Sequence, residues 1–410
     1  MVNTFLREGP MASQAPPAPG RVGDVRRRNL ALVLGRVDPD GAATRAEIAA
    51  ATGLTKASVS SLVADLLETG LIEELGVTRD GERGRPGMGL ALNRRRGALG
   101  AEINVDYLAV GVLDLHGELR VHETVEAANQ GRRPEHVLAD LDGLAARVRD
   151  AAAAEGIELL GGGLAVPGLV EPETGLVAMA PNLAWSDVPL AGALASLAPR
   201  APFGVEVSNE ADSAALAELW YGRGSSADAY LYLSGEVGVG GGLVIGSELF
   251  TGAGGHAGEV GHVVVDPRGL RCSCGGRGCV ETVAGQGAIL AAAGITGAGS
   301  TTAARLVALQ AALGEGDARA IGAVERAGEA LAVAVIAAAR LVDLSAVVLG
   351  GHFATLRETI GPSLETALAD LAPGRVTSVR FSELGTTAAL RGAAGAALRR
   401  ALAAPHALLP

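Results

Sequence analysis

Residues 256–281 read His-Ala-Gly-Glu-Val-Gly-His-Val-Val-Val-Asp-Pro-Arg-Gly-Leu-Arg-Cys-Ser-Cys-Gly-Gly-Arg-Gly-Cys-Val-Glu. All three cysteines of the chain, Cys272, Cys274 and Cys279, fall inside this stretch, with His262 ten residues upstream. Three thiolates and one imidazole complete a tetrahedral zinc shell with no open position, the pattern of a structural metal. Gly275, Gly276 and Gly278 supply the tight turns that bring sulfurs so close in sequence onto one ion. Three unrelated core cysteines would not cluster in this way. A disulfide framework fails on the odd count, and a Cys-x-Cys pair closes only with strain. The expected cofactor is one structural Zn²⁺ on His262, Cys272, Cys274 and Cys279.

The residues flanking the cysteines carry a resemblance. Glu259-Val-Gly-His262 and Cys279-Val-Glu281 are similar to the Glu-x-Gly-His and Cys-x-Glu signatures of the ROK family of repressors, open reading frames and sugar kinases. The resemblance implies that Glu259, His262 and Glu281 hold sugar hydroxyls and that zinc fixes the loop presenting them. It also implies a two-lobed, actin-like ATPase (sugar-kinase-like) α/β fold over about residues 99–403.

Composition is consistent with this organisation. A chain of 410 residues, 49% hydrophobic, has room for two or three domains with sizeable cores. No run of about 18 apolar residues appears, so no membrane span is expected. Met1–Gly20 is rich in Pro, Ala and Gly without a long apolar stretch, which reads as a disordered tail (1–23) and not a signal peptide. Unpaired thiols point to a reducing, cytoplasmic setting. Residues 1–98 hold 14 Arg or Lys against 11 Asp or Glu, a balance of +3; the rest holds 20 against 34, or −14, which together give the net −11. A mildly basic head on an acidic body suits a nucleic-acid reader fused to another unit.

The head has its own punctuation. Asp24–Leu34 has helical spacing of Val25, Leu30, Val33 and Leu34, with Arg26, Arg27 and Arg28 on another face. Thr44 and Glu47 form a capping box that opens a helix through Ala51. Thr55 caps a further helix through Glu68, and Gly70 stops it. Leu71–Val77 and Met88–Leu92 read as two short strands. The order predicts a winged helix-turn-helix over 24–93, and the segment also resembles the N-terminal domain of the repressor branch of the family. The helix opened by Thr55 would read DNA through Lys56, Ser58, Ser60 and Ser61. The wing would place Arg83 and Arg85 in a minor groove. Two such heads must meet two half-sites, so a homodimer or dimer of dimers on double-stranded operator DNA is expected.

Beyond an expected hinge at 94–98, apolar strands alternate with Ala-rich helices. The expected division is lobe 1 at 99–222, lobe 2 with the zinc loop at 223–385, and a C-terminal helix (386–410) returning to lobe 1. The sequence departs from the kinases that this body resembles at three places. A phosphate loop of the Asp-x-Gly-Gly-Thr type is replaced by Glu102-Ile-Asn104-Val105-Asp106. The second phosphate loop is Glu236-Val-Gly238-Val-Gly240, acidic at its first position. The Asp that would take the proton from a sugar hydroxyl is Glu210, within Asn209-Glu210-Ala211-Asp212. Gly240–Gly242 and Gly350-Gly351 persist, which backbone packing explains equally well. Glu is one methylene longer than Asp, a displacement of about 1 Å that can cost on the order of 100-fold. The polar set left for a sugar is Asn209, Glu210, Glu259, His262 and Glu281, with no catalytic residue expected. Trp185 reads equally as core or as a platform for a sugar face.

The expected function is a sugar-responsive transcriptional regulator, in all expectation a repressor, of carbohydrate metabolism genes, and not an enzyme. Two alternatives remain at this point. One is a regulator that answers to a protein partner; the other is a bifunctional regulator that still phosphorylates a sugar.

Overall fold

The protein was analysed as a computed structural model. It describes residues 22–37, 43–78, 87–171, 174–190, 196–199, 201–297, 301–373 and 378–409. The wing tip with Arg83 and Arg85, and most of the N-terminal tail, lie outside them.

The head contains helices α1 (Val22–Leu34), α2 (Arg45–Thr52) and α3 (Lys56–Glu68), with strands β1 (Ala43–Thr44), β2 (Ile72–Thr78) and β3 (Gly87–Leu92) in the order β1-β3-β2. The helix starts lie where the side chains dictate. Thr44 Oγ1 accepts from Glu47 N, while the Glu47 carboxylate accepts from Thr44 N. Thr55 Oγ1 accepts from Ser58 N. Each such cap contributes about 1 kcal/mol. Val59, Leu62, Val63 and Leu66 of α3 are buried against Leu30, Val33 and Leu34 of α1. Gly70 takes the left-handed backbone that ends the helix.

The expected hinge is not a free linker. β4 (Arg96–Ile103) begins inside it. Asn93 Nδ2 donates to Gly70 O at 2.9 Å, Arg96 donates to Thr69 O at 3.1 Å, and the Arg96 guanidinium pairs with Glu158. The head's apolar cluster runs on without a break into Ala98, Leu113, Leu115, Ala394, Leu398 and Leu402 of the body. Burial of this seam resists free swivelling of the head.

In the body, β4 is joined by β5 (Tyr107–Asp114), β6 (Leu119–Glu126), β7 (Glu158–Val166) and β11 (Val205–Asn209) in one sheet of order β11-β7-β4-β5-β6. Helix α4 (Pro134–Ala154) covers the outer face through Val137, Leu141, Leu144 and Val148. β8 (Leu169–Glu171), β9 (Leu176–Ala180) and β10 (Trp185–Pro189) form a small antiparallel meander. Trp185 is buried there with its Nε1 donating to Arg132 O, so it is core and not a platform.

The second lobe has a sheet of β12 (Ala229–Gly235), β13 (Val239–Ile245), β14 (Glu248–Leu249), β15 (Ala346–Gly351) and β16 (Ser378–Phe381), ordered β14-β13-β12-β15-β16. Helices Ala318–Val342 and Arg357–Leu371 close its core. The two sheets share one plan. In each, the first strand pairs antiparallel with the second and parallel with the fourth. The first turns of the two lobes, Asn104–Asp106 and Glu236–Gly238, are therefore equivalent in position. The C-terminal helix Ala388–Ala403 packs on β4, β5 and β7 and on the helix Glu210–Tyr221.

Candidate functional site

The cysteines and histidine do converge. One ligand atom from each of His262, Cys272, Cys274 and Cys279 lies within 4.8 Å of all the others. Cys274 Sγ and Cys279 Sγ are 3.8 Å apart, and Cys272 Sγ is 3.6 Å from His262 Nδ1. Zn–S bonds of about 2.3 Å in a tetrahedron place sulfurs about 3.8 Å apart, so the donor set has the size of a four-coordinate metal shell. Gly276 N donates to Cys274 Sγ at 3.4 Å, which holds that thiol below its ordinary pKa.

The loop presents the expected ligand-facing residues. His262 points Nδ1 toward the sulfurs and Nε2 toward Glu259, 3.7 Å from Glu259 Oε2. Ser273, between two of the cysteines, donates its hydroxyl to Glu281 Oε1 at 3.1 Å. The loop thus holds Glu281 by a hydrogen bond and sets Glu259 beside His262. Gly238 is required beside it, since a Cβ there would collide with Glu281 Oε2.

Asn209 and Glu210 lie at the start of the helix Glu210–Tyr221. Asn209 is the N-cap: its Oδ1 accepts from Ala211 N at 2.8 Å and Asp212 N at 3.1 Å, and its Nδ2 donates to Gly168 O at 2.8 Å. One amide hydrogen is left for a ligand, so its main work is to aim Glu210. Asp212, absent from the expected set, is pushed up to about 7 by burial and then by the nearby Glu259 carboxylate.

Glu210 looks into a small open cleft that it lines with Glu102, Tyr107, Tyr232, Ser234, Glu236, Gly351, Gly385, Thr386, Ala388 and Ala389. Glu102, from the end of β4, is 3% exposed. Its Oε1 accepts from the Tyr107 hydroxyl at 2.7 Å, and its Oε2 has no hydrogen-bond partner. Burial pushes Glu102 up to about 7, against the hydrogen bond from Tyr107. Burial, then the Glu102 charge, pushes Glu210 up to about 8. Glu236 is raised well above the usual carboxylate range by burial and by Glu210, Glu102 and Asp106 in turn. The two equivalent turns of the lobes thus bring carboxylates face to face. The retained glycines are accounted for by packing: a Cβ on Gly242 would press on Ala215 Cβ at 2.5 Å, and one on Gly350 would strike the Tyr232 hydroxyl.

In the head, Lys56, Ser58, Ser60 and Ser61 are all exposed on α3. Ser58 Oγ also touches Thr55 Oγ1 at 2.9 Å, within the cap. Two of the three clustered arginines are occupied internally, Arg26 by Asp65 and Arg27 by Asp24. The cluster serves α1–α3 packing more than the sequence suggests.

Tyr107, Asp212, Glu102 and Glu236 were not in the expected ligand set. The signal for the last two was present as acidic residues in place of glycine-loop positions. For Tyr107 and Asp212 nothing in the spacing marks them.

Comparison with known proteins follows the same division. The ROK family pattern matches residues 98–400, and the MarR family pattern matches residues 29–85. The chain is 33% identical over 267 residues to the xylose repressor of Caldicellulosiruptor bescii, a match covering 65% of this chain and 66% of that protein. A solved ROK family transcriptional regulator, described as a homologue of the E. coli MLC protein, superimposes with a TM-score of 0.75 at 25% identity, over 94% of this chain and 99% of the other. A ROK family glucokinase from Streptomyces griseus, solved with glucose and AMPPNP, superimposes with a TM-score of 0.62 at 27% identity, over 73% and 98%. No helix among the described residues is long and apolar enough to cross a membrane. The head matches the MarR family pattern, and with the ROK pattern spanning 98–400 the chain belongs to the ROK family.

Proposed function

We propose that this protein is a sugar-responsive DNA-binding transcriptional regulator, a repressor of carbohydrate metabolism genes, whose kinase-like body senses its ligand without phosphorylating it. The observation that carries the reading is the contrast between the residues of the cysteine loop and those of the cleft that Glu210 lines. Carboxylates and a histidine suited to sugar hydroxyls are held by a metal loop, while the turns Asn104–Asp106 and Glu236–Gly238 bring carboxylates where anionic phosphates would need donors. The winged head and the relatives that are themselves regulators support the DNA-binding half.

In this reading the metal is Zn²⁺, held by His262, Cys272, Cys274 and Cys279. Its chemistry is structural: all four positions are taken by protein, and it orients Glu259 and Glu281. Asn209, Glu210, Glu259, His262 and Glu281 bind the sugar. Lys56, Ser58, Ser60, Ser61, Arg83 and Arg85 meet the operator, and the chain acts as a homodimer or dimer of dimers. Domain limits follow the sequence reading, with the turn at 94–95 as the junction.

A route from ligand to head exists in the C-terminal helix. Its first turn lines the cleft through Ala388 and Ala389, and its last turns meet the head through Leu398 and Leu402. Sixteen residues make about 24 Å of stiff connection. Gly392 and Gly395 seat it tightly, because a Cβ on either would run into Ser213 O or the Trp220 ring. Movement of Glu210 with its own helix therefore carries this helix along. A sugar shifts the equilibrium only by its differential affinity for the two arrangements.

The test is fluorescence anisotropy on DNA duplexes selected by the protein itself, with sugars titrated in. A sugar should lower DNA affinity by about tenfold or more. No effect from any of glucose, N-acetylglucosamine, N-acetylmannosamine, xylose, fructose, allose or the free amines glucosamine and mannosamine would remove the sugar reading. In parallel, a coupled ADP-release assay should stay at background with the same sugars. Turnover of about 1 s⁻¹ would make the protein a kinase with a DNA-binding head. Glu210→Asp alone should not create activity, because a correct base without bound ATP has no phosphoryl group to act with.

A further inference from the structure

The carboxylates of the cleft lack a counterpart. Glu102, Glu210 and Glu236 line it together, and no Arg, Lys or His is among the lining residues. Asp106 adds its field to Glu236 from the β4–β5 turn. The positive elements are two helix starts: that of Ala388–Ala403, which has no side-chain cap and borders the cleft, and that of Glu210–Tyr221, whose first amides are taken by the Asn209 cap. A helix N-terminus is worth about half a charge, so they offset only a fraction of three carboxylates. The Glu102 side chain is 3% exposed, lines the cleft, and leaves Oε2 without a partner. A buried acceptor left unmade is costly, and a ligand donor removes that cost.

We propose that the end of the cleft bounded by Glu102, Glu210 and Glu236 receives a protonated amine, so that the effector is an amino sugar with a free ammonium group and not a neutral sugar. The inference rests on the reading of this cleft as the effector site, and it adds the charge and class of the effector. An ammonium suits the geometry better than a metal ion. Among the described residues, ligand atoms drawn within 4.8 Å of one another form a metal-type set only at His262 and the cysteines. Carboxylates spread more widely around an opening can each take one N–H of an ammonium, which carries three donors. A sugar phosphate or a uronic acid would meet repulsion from all three. Tyr107 has already given its hydroxyl hydrogen to Glu102 Oε1 and is not available to neutralise the site. The charge held by Glu102 and Glu210 is marginal near neutral pH, since both lie near or above 7. An arriving ammonium favours their ionised forms, so binding of the amine releases protons and tightens as pH rises through this range.

The experiment uses the full chain in its metal-bound form and isothermal titration calorimetry at pH 7.5 and low salt. The ligands are glucose and mannose, their 2-amino, 3-amino and 6-amino analogues, and N-acetylglucosamine as an uncharged nitrogen control. At least one free amine should bind about tenfold or more tighter than its parent hydroxyl sugar, with affinity falling as salt rises. N-acetylglucosamine should show no such gain. In Glu236→Gln and Glu102→Gln the ratio of amine affinity to parent-sugar affinity should fall by about tenfold. Two variants are used so that one poorly folded protein does not decide the matter. Parent sugars binding as well as every amine, or an amine preference that survives both substitutions, overturns the proposal and leaves the sugar-sensor reading intact. Absence of binding by any of these sugars overturns both. Saturable binding of Mg²⁺ or Ca²⁺ alone that both substitutions abolish assigns the site to a metal ion and overturns the amine.

Discussion

Glu102→Gln isolates what the acidic cleft costs the fold. Glutamine keeps the volume and the acceptor for the Tyr107 hydroxyl but cannot ionise. In the folded chain Glu102 titrates at about 7 and its ordinary value is 4.5. The folded state therefore holds this proton more tightly than the unfolded state. Below about pH 4.5 both states are protonated and burial costs nothing. As pH rises through the window up to about 7, the unfolded state loses the proton first and stability falls. Above it, the full difference is paid, about 2.5 pK units or roughly 3 kcal/mol. Between pH 5 and pH 8.5 the stability of Glu102→Gln relative to wild type should rise by about 2–3 kcal/mol. Removing the charge also relieves Glu210 and Glu236, which acts in the same direction. The assay is urea unfolding followed by tryptophan fluorescence, and both tryptophans, Trp185 and Trp220, sit in the body. A wild-type-to-variant difference that stays constant within about 0.5 kcal/mol across that pH range would refute the reasoning. It would mean that Glu102 is solvated or already compensated.

Two further outcomes are expected. Cys274→Ser should release the metal and loosen Ser273 and Glu281, abolishing the sugar response while DNA binding by the head persists; wild-type protein holding less than about half an equivalent of zinc by elemental analysis would contradict the four-ligand shell. Arg85→Ala should weaken operator binding by about 1–3 kcal/mol in anisotropy titrations without altering the sugar-induced thermal shift, and unchanged affinity on several operators would take the wing out of the interface.

Local chemistry was legible where a single side chain decides it. Thr44 with Glu47, and Thr55, marked the starts of α2 and α3, and the end of α3 at Glu68 matches the sequence reading. The convergence of His262 with the three cysteines was legible for the same reason, since eight residues of chain contain three of the four. β6 was not, because it is a polar strand at the sheet edge with little apolar alternation. The meander of β8, β9 and β10 was missed because three- and five-residue strands lack a period long enough to read. The cleft was only half legible. Glu102, Glu236 and Glu210 stood out as departures, but their mutual repulsion depends on two turns more than 130 residues apart coming together. The bond that ties the Asn209 amide to the Gly168 carbonyl is of the same long-range kind, whereas its capping bonds to Ala211 and Asp212 are local.

The seam that joins the head to the body also sets an order of events during synthesis. Leu30, Val33 and Leu34 of α1 are among the first residues with a defined place, and their cluster is completed by Leu398, Leu402, Leu408 and Leu409. Some 370 residues separate the two groups, which a ribosome takes roughly 20–70 s to make. For that interval the DNA-reading unit has an uncovered leucine face. The head is made well before the C-terminal helix that covers it. A chain interrupted before the helix Ala388–Ala403 would keep that leucine face bare.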